Sequence, residues 1–243
     1  MARVSKAGTA PFLSIVIPVY NEEAILRAAV VDLIDRLNGL PWSYEIVLAE
    51  NGSTDRTLEV ARNLAGRFDQ LVFRHTDEPN YGKALRAGIL DARGEIVICD
   101  EIDLGDVDFY ERAIAALQDQ SVDFVVGSKV MEGALDQRPL SRRLGTVVIN
   151  GLLRIILGFE GTDTHGLKAF RQDVVQPIAR ACLVDRDLFA SELVIRSERA
   201  GLGVLEIPVR VLEKRPPTVG LARRVPHVLR GLAKLFVAIR IKR

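Results

Sequence analysis

The chain has 243 residues, of which 48% are hydrophobic, and a formal net charge of +1. This composition supplies a substantial core, and the near-zero net charge excludes a general electrostatic attraction to nucleic acid. The two cysteines, Cys99 and Cys182, exclude a disulfide framework and fit no zinc-site spacing, which favours a reducing, cytosolic location. We find no signal-peptide core in residues 1–10 and no apolar run of membrane-spanning length, so we expect no membrane crossing by this chain itself.

Strands and helices are predicted to alternate through the first half of the chain. Apolar runs predict strands at Leu13–Ile17, Tyr44–Leu48, Leu71–His75, Glu95–Cys99 and Phe124–Gly127. Helical periodicity lies between them, at about 23–37, 54–68, 82–92 and 109–118. This alternation predicts an α/β fold in which helices flank a mostly parallel sheet with right-handed crossovers.

The rhythm changes after residue 128. A polar loop at 129–143 overlaps the start of a strongly apolar helix at about 141–157, and a loop with a short strand follows at 158–170. Helices are predicted at 172–181 and 189–200, a strand at 204–211, a loop at 213–220 and a final helix at about 225–241. We therefore predict one domain, 10–212, followed by a C-terminal loop and basic amphipathic helix, 213–243.

Polar loops follow three of the predicted strands. They begin at Pro18-Val19-Tyr20-Asn21-Glu22-Glu23, at Glu50-Asn51-Gly52-Ser53-Thr54-Asp55 and at Asp100-Glu101-Ile102-Asp103. The carboxyl ends of parallel strands meet at one edge of a sheet, which is where ligands bind in open α/β folds. Carboxylates, turn formers and a tyrosine at this edge indicate a nucleotide with a bound cation.

Two of the helix-starting motifs have a structural and a functional interpretation. The loop from Glu50 to Asp55 is fully explained as a tight turn with a helix cap, although Glu50 is also placed to accept hydrogen bonds from a nucleobase. Asn80-Tyr81-Gly82-Lys83 begins a helix, whose N-terminus with Lys83 is either an anion site or an ordinary capped start.

The third acidic loop points to a metal ion. Clustered carboxylates after a buried strand repel one another unless a cation or a basic group compensates them. We predict Asp100 and Asp103 as ligands of Mg²⁺ or Mn²⁺, which bind oxygen ligands and substrate phosphates, and we leave Glu101 open. The alternative is a solvated acidic loop.

Three later segments also carry candidate functional groups. Asp163, His165 and Lys168 lie within six residues, which raises the chance of a site without defining its role. The final helix combines an apolar stripe with basic residues and is either a helix on an anionic membrane surface or a helix packed on the domain. The helix at 144–157 is apolar nearly all round, so it is either buried in protein or in contact with lipid.

Taken together, these residues resemble the inverting family 2 glycosyltransferases with the GT-A fold, above all the polyprenyl- or dolichyl-phosphate mannose synthases. The resemblance covers roughly residues 12–235. Its motifs are Ile17 to Glu23, Asn51 to Asp55, Gly82 to Gly88, Asp163 to Phe170 and Phe189 to Val211. Three features depart from the family: Glu50-Asn51 replaces two aspartates, the Asp-x-Asp motif is one residue longer, and Arg215-Pro216-Pro217-Thr218 replaces a Gly-Ser-Lys run.

The resemblance implies a role for individual residues. Pro18, Tyr20 and Glu22 would line the nucleoside pocket, and Glu50 would contact the base. Asp100 and Asp103 would stand at the metal-binding Asp-x-Asp, with Asp103 also counted as catalytic. Arg142 and Arg143 would hold the acceptor phosphate, and Arg215 would belong to a loop that closes over the nucleotide diphosphate.

The expected activity is inverting transfer of a hexose from a UDP- or GDP-sugar to a polyprenyl or dolichyl phosphate. A phosphate acceptor is already ionised, whereas a hydroxyl acceptor needs a base, for which Asp163 is the first candidate and His165 and Glu192 follow. Expected partners are the nucleotide sugar, the lipid phosphate, an anionic membrane surface and a membrane protein, with a cytoplasmic location on the inner face of the membrane. The alternatives are a soluble acceptor and nucleotide-sugar binding without turnover.

Overall fold

A computed structural model of the chain describes residues 10–211 and 230–241. It contains nine strands: β1 (Leu13–Val19), β2 (Tyr44–Asn51), β3 (Leu71–Thr76), β4 (Ile96–Cys99), β5 (Phe124–Ser128), β6 (Leu135–Asp136), β7 (Lys168–Arg171), β8 (Val204–Pro208) and β9 (Arg210–Val211). Its seven α-helices are α1 (Leu26–Asn38), α2 (Thr57–Arg67), α3 (Tyr81–Asp91), α4 (Val107–Leu117), α5 (Leu140–Leu157), α6 (Gln172–Ala181) and α7 (Phe189–Arg199). A 3₁₀ turn spans Arg186–Leu188, and residues 230–236 are helical and continue into a π-helical turn, Val237–Ile241.

Seven strands form one sheet in the order β3-β2-β1-β4-β7-β5-β8. Every neighbouring pair is parallel except those of β7, which lies antiparallel between β4 and β5. The predicted α/β fold with a mostly parallel sheet is therefore confirmed. The carboxyl ends of β1 to β5 and the start of β7 share one edge of the sheet.

Helices cover both faces of the sheet because its strands are apolar on both sides, as expected for a parallel sheet. One face packs against α1 and α4, through residues such as Leu33 and Phe109. The other face packs against α3 and α5–α7, and Leu235 and Ile239 of the final helix join it. The described part of the final helix thus packs on the domain, the second of the two interpretations of its sequence.

The structure corrects some of the predicted boundaries. Helix α1 begins at Leu26 and not at residue 23, after a turn whose first residues, Glu22 and Glu23, donate their backbone N–H groups to side chains of the next loop. The predicted strand 204–211 divides at Val209, whose N–H donates to Ser128 O. The second piece, β9, pairs with β6 inside the predicted polar loop.

The predicted loop 213–220 and the first part of the helix from residue 225 lie outside the described residues, so the domain boundary at 212 remains a prediction. Within residues 10–211 and 230–241, none of the helices combines the length and the apolarity that crossing a bilayer requires.

Candidate active site at the carboxyl edge of the sheet

The strand ends that carry the acidic loops are neighbours in space. Val19 lies opposite Glu50 in the β1–β2 register, and Glu50 lies opposite His75 in the β2–β3 register. On the other side of β1, the N–H of Asp100 donates to Val16 O at 3.0 Å. The polar loops after β1, β2 and β4 therefore meet at one edge, as the sequence predicted.

The loops after β1 and β2 are bound to each other. The N–H of Asn21 donates to Ser53 Oγ at 3.0 Å, and Asn21 Oδ1 accepts the N–H of Thr54 at 2.8 Å. The N–H of Glu22 donates to Thr57 Oγ1 at 2.6 Å. Asn21 has a positive φ of 55°, a conformation that asparagine tolerates better than most residues. The two sequence motifs thus form one rigid double loop.

Glu50 lies beneath this double loop, where its carboxylate is almost completely buried. Its Oε1 accepts the N–H of Ser53 at 2.6 Å, and its Oε2 is hydrogen-bonded to His75 Nδ1. His75 Nε2 in turn contacts Asp77 Oδ1 at 3.0 Å. Both oxygens of Glu50 are therefore hydrogen-bonded inside the protein, and its contact with a nucleobase stays a prediction.

Tyr20 is the aromatic side chain that this double loop presents outward, with 42% of its surface exposed. Pro18 is buried within β1, and Glu22 is partly buried at the start of the loop. Of the three residues predicted to line a nucleoside pocket, Tyr20 is placed to stack on a ligand.

The N-terminus of α3 is occupied by the chain itself. Asn80 Oδ1 accepts the N–H groups of Lys83 and Arg186, at 3.0 and 2.9 Å. A Cβ atom on Gly82 would lie 2.5 Å from Arg186 O, so the glycine is required by this close approach. Lys83 pairs with Glu78 at 2.9 Å. The helix start is thus capped by the chain itself, and the anion site at Lys83 stays a prediction.

Asp100 points away from the other candidate residues. One carboxylate oxygen is bonded to the hydroxyl of Tyr110 on α4 and the other accepts the N–H of Glu101 at 2.6 Å. Burial raises the pKa of Asp100 to about 7, against the opposing effect of the Tyr110 hydrogen bond. Both oxygens of Asp100 are thus hydrogen-bonded within the protein, and its role as a metal ligand stays a prediction.

Glu101 and Asp103 are the carboxylates that this loop presents, because the buried Ile102 lies between them. Glu101 is exposed, and it interacts electrostatically with Lys129, Lys168 and Asp103. Within the described residues, no cluster of three or more acidic, histidine or cysteine side chains forms a metal cage. A cation at these two carboxylates would take its other oxygen ligands from substrate phosphates and water.

Asp163 is completely buried and forms an ion pair. Its Oδ2 lies 3.2 Å from Lys129 Nζ, and its Oδ1 accepts the N–H of His165 at 2.8 Å. Burial alone would raise the pKa of Asp163, but the charge of Lys129 and the His165 N–H outweigh it, and the pKa is lowered. Asp163 is consequently a weak base. His165 is partly buried beside it, with Nδ1 3.0 Å from Thr164 Oγ1.

Glu206 on β8 holds the residue before Asp163. Its carboxylate accepts the N–H and the hydroxyl of Thr162, both at 2.6 Å, and the N–H of Asp163 at 3.0 Å. Thr162 Oγ1 also lies 2.6 Å from Ser128 Oγ at the end of β5. No role for Glu206 was predicted from the sequence, because its contact joins residues 44 positions apart.

Helix α5 buries one side and exposes the other. Asn150, Leu153 and Leu157 are buried, whereas aliphatic side chains at helical spacing form an exposed stripe: Leu140, Leu144, Val147, Val148 and Ile155, between 51 and 85% exposed. Asn150 Nδ2 donates to Thr162 O at 2.7 Å, and Arg154 donates to Gly161 O. The helix is thereby bonded to the loop that carries Asp163.

A cavity of about 650 Å³ separates this stripe from the Asp163–Lys129 pair. Its lining is mostly apolar but includes two basic residues, Lys129 and Arg143. The other lining residues are Val130, Met131, Ala134, Asp136, Leu140, Ser141, Leu144 and Val147. Arg143 is exposed on the first turn of α5, and Arg142 beside it is partly buried. Arg215 lies outside the described residues.

Comparison with known proteins identifies the family. The family model described as glycosyl transferase family 2 matches residues 14–176. The chain belongs to this family. The strand-end loops, the carboxylate pair at Glu101 and Asp103 and the Asp163 loop all lie within the matched range.

Several curated relatives resemble the chain over most of its length. Glycosyltransferase AglD of Haloferax volcanii is 29% identical over 240 residues, which are 95% of this chain and 38% of that protein. An undecaprenyl-phosphate 4-deoxy-4-formamido-L-arabinose transferase of Edwardsiella ictaluri is 31% identical over 85% of this chain and 62% of its own. A dolichyl-phosphate beta-glucosyltransferase of Trichomonas vaginalis is 29% identical over 82% and 65%. The chain therefore spans between 38 and 65% of the length of these relatives.

Solved structures share the fold. Glucosyl-3-phosphoglycerate synthase from Mycobacterium tuberculosis in complex with phosphoglyceric acid superposes with a TM-score of 0.67 at 20% identity, covering 94% of this chain and 80% of that one. The same synthase in complex with Mn²⁺, UDP and glucosyl-3-phosphoglycerate gives a TM-score of 0.64 at 19% identity, with the same coverage of both chains.

Proposed function

We propose that the protein transfers a hexose from a nucleotide sugar to a phosphate-bearing lipid, a polyprenyl or dolichyl phosphate, with inversion at the anomeric carbon. The observation that carries the proposal is the buried Asp163–Lys129 pair beside an apolar cavity. Two of the relatives described above are named for lipid-phosphate acceptors, which supports the same substrate class.

The weak basicity of Asp163 favours an acceptor that is already ionised. A hydroxyl acceptor requires a base with a pKa near the working pH, whereas the pKa of Asp163 is lowered and both its oxygens are engaged. A phosphate oxygen carries its own charge and needs mainly to be held in position. In this proposal Asp163 orients Lys129, and Lys129 with Arg142 and Arg143 attracts the acceptor phosphate.

The donor would bind across the ends of β1, β2 and β4, with its base against Tyr20. Glu101 and Asp103 fit a divalent cation, because two carboxylates with one intervening residue supply the oxygen ligands that Mg²⁺ and Mn²⁺ prefer. When bound, the cation would neutralise charge on the departing nucleoside diphosphate. The Mn²⁺ present in the related synthase supports the use of a divalent cation, without distinguishing Mg²⁺ from Mn²⁺.

The exposed stripe of α5 is the proposed contact with an anionic membrane surface, on the cytoplasmic face. Apolar side chains on the stripe would enter the lipid boundary, and Arg142 and Arg143 on the first turn would meet anionic headgroups. This placement would bring the mouth of the cavity to the depth at which a lipid phosphate lies. A membrane-protein partner is the competing occupant of the same stripe.

A transfer assay tests the proposed reaction. The purified protein would be incubated with UDP- or GDP-hexoses, Mg²⁺ or Mn²⁺ and a short-chain polyprenyl phosphate, and the products analysed by mass spectrometry and for anomeric configuration. We expect a glycosyl-phospholipid of inverted configuration. Donor consumption without any glycolipid, across both nucleotides, would exclude the lipid acceptor.

The same assay separates a second candidate, a soluble phosphate-bearing acceptor. The related synthase has been crystallised with phosphoglyceric acid, so this class of acceptor belongs in a parallel arm of the assay. Transfer to phosphoglycerate but not to polyprenyl phosphate would favour this candidate. Nucleotide-sugar binding with neither transfer nor hydrolysis would leave a binding protein without turnover.

Co-sedimentation with vesicles tests the membrane contact. Leu144→Asp places a charge in the middle of the exposed stripe, and Leu183→Asp is the matched control, since Leu183 is a similarly exposed leucine outside α5. We expect salt-sensitive binding of the wild type and of Leu183→Asp to anionic vesicles, and about a tenfold loss for Leu144→Asp. Equal binding of all three proteins would exclude α5 as the contact surface.

A further inference from the structure

Lys168 is a buried ammonium group to which the reaction described above assigns no role. The residue begins β7, where it lies opposite Cys99 on β4 and Val126 on β5. It is 3% exposed, and burial lowers the pKa of its ammonium to about 8. The cost of burying a charge is usually offset by a close counter-ion.

That offset is incomplete at Lys168. A lysine ammonium has three N–H donors. One donates to Gly166 O at 2.7 Å, and in the described parts of the chain neither a second acceptor nor a carboxylate within ion-pair distance meets the other two. The nearby carboxylate of Asp163 is already paired with Lys129.

The charges of Lys168 and Lys129 are balanced by two carboxylates, Asp163 and Glu101. Asp163 is buried and paired with the partly buried Lys129, whereas Glu101 is an exposed residue. The balance of charge around Lys168 therefore depends on Glu101. A cation bound by Glu101 and Asp103 would neutralise the charge of these carboxylates. Lys129 and Lys168 would then bind an anion more favourably.

The side chain of Lys168 is not needed to hold the turn at Gly166 in place. A Cβ atom on Gly166 would lie 1.6 Å from Gly127 O, so the backbone at Gly166 is already packed directly against β5. The N–H of Gly127 also donates to Leu167 O at 2.8 Å. These backbone contacts fix the turn without the side chain of Lys168.

We propose that Lys168 is an oxyanion-binding residue, whose two remaining donors bind the oxygens of a phosphoryl group beside Lys129. The phosphoryl group comes either from the diphosphate of the donor or from the phosphate of the acceptor. Lys129 lines the cavity and acts electrostatically on Lys168, so a phosphoryl group that reaches Lys129 through the cavity would lie near both lysines. The choice between donor and acceptor rests on the proposed function; the anion site itself does not.

Binding measurements with three variants test the proposal. Lys168→Met removes the charge at nearly constant length, Lys168→Arg retains it, and Lys234→Met removes a lysine charge from the exposed side of the final helix. Calorimetric titrations would use inorganic phosphate and geranyl phosphate in one arm, and UDP and GDP with Mg²⁺ in the other. Thermal unfolding of each variant would be followed in parallel.

We expect Lys168→Met to weaken binding at least tenfold in one arm, Lys168→Arg to weaken it less than threefold, and Lys234→Met to match the wild type. The arm that responds identifies the source of the phosphoryl group. The melting temperature of Lys168→Met should not fall, because an uncompensated buried charge has been removed.

Unchanged affinities in both arms, a wild type that binds none of these anions, or a lower melting temperature with unchanged affinity would each overturn the proposal. Anion binding that depends on Lys168, together with no sugar transfer to any acceptor, would contradict the proposed function and leave this site standing.

Discussion

The two halves of the carboxyl edge differ in how completely their charges are paired. At the ends of β1–β3, Glu50, His75 and Asp77 form a continuous hydrogen-bonded chain, and the double loop above them is bonded within itself. Beyond β5, Asp163 is paired with Lys129, and among the described residues Lys168 has no carboxylate within ion-pair distance. Helix α5 also leaves an aliphatic stripe exposed there. The polar groups of the first half are therefore bonded to one another, whereas the second half keeps ammonium donors and apolar surface that the described residues do not cover.

The largest expected effect tests the rigidity of the first half. Glu50→Ala removes the acceptor of both the Ser53 N–H and the His75 ring, and should lower the free energy of unfolding by about 3 kcal/mol. Glu59→Ala is the control, because the Glu59–Arg56 pair is exposed and screened by solvent, so its loss should leave the stability almost unchanged. Urea unfolding measures both. Similar losses of unfolding free energy for the two variants would mean that the hydrogen bonds of Glu50 contribute no more to stability than a surface ion pair does.

The next effect separates the carboxylates after β4. Glu101→Ala and Asp103→Ala should each lower kcat/KM roughly 100-fold, through the loss of charge stabilisation on the leaving diphosphate. Asp100→Asn should lower it less than about tenfold, because that side chain contacts Tyr110 and not the site. Steady-state kinetics at several Mn²⁺ concentrations would show this. The assignment fails if Asp100→Asn is folded and is as inactive as Glu101→Ala.

A smaller effect on activity is expected at Glu206 in the second half. Glu206→Ala frees the Thr162–Asp163 turn and should lower kcat about tenfold while leaving the KM for the donor nearly unchanged. Glu206→Gln keeps one acceptor oxygen and should recover most of kcat. A rise in donor KM with constant kcat would instead place Glu206 on the nucleotide side.

The smallest effect concerns Glu198 on α7. Burial raises the pKa of Glu198 from 4.5 to about 7, and Glu160 and Glu206 add to the rise. The folded protein therefore keeps a proton that the unfolded chain releases between about pH 4.5 and 7, so this residue makes the protein less stable as the pH rises through that range. Glu198→Gln should flatten this dependence and raise the melting temperature at pH 8 relative to the wild type. If the melting temperatures of the two proteins change with pH in the same way from pH 5 to 8, the raised pKa of Glu198 is excluded.

Helices and strands could be predicted from the sequence where their bounds depend on residues that are neighbours along the chain. Helix α6 has the predicted bounds, 172–181, and β1 to β5 lie where the apolar runs predicted strands. The pair β6–β9 was not predictable, because two-residue strands are defined by a distant partner and not by periodicity. The contacts that the residues before α1 make with side chains more than thirty positions away were not predictable either.

The same distinction applies to the site. The convergence of the strand-end loops followed from the parallel sheet, but the burial of Glu50 depends on His75, which no local pattern indicates. The contact of Asp100 with Tyr110 was not predictable from local pattern, because it joins the end of β4 to helix α4. Lys129 and Lys168 carried a local signal, each being a lysine within or directly after an apolar strand.

The cap of α3 has a consequence for any attempt to shorten the protein. Asn80 caps that helix by accepting the N–H of Lys83, and the same oxygen accepts the N–H of Arg186, which lies ten residues beyond the stretch matched by the family model. A fragment ending at residue 176 would also lack β8, so β5 would become an open edge and Thr162 would lose Glu206. The span that defines the family is therefore smaller than the unit that folds, and excising it should yield an aggregating polypeptide.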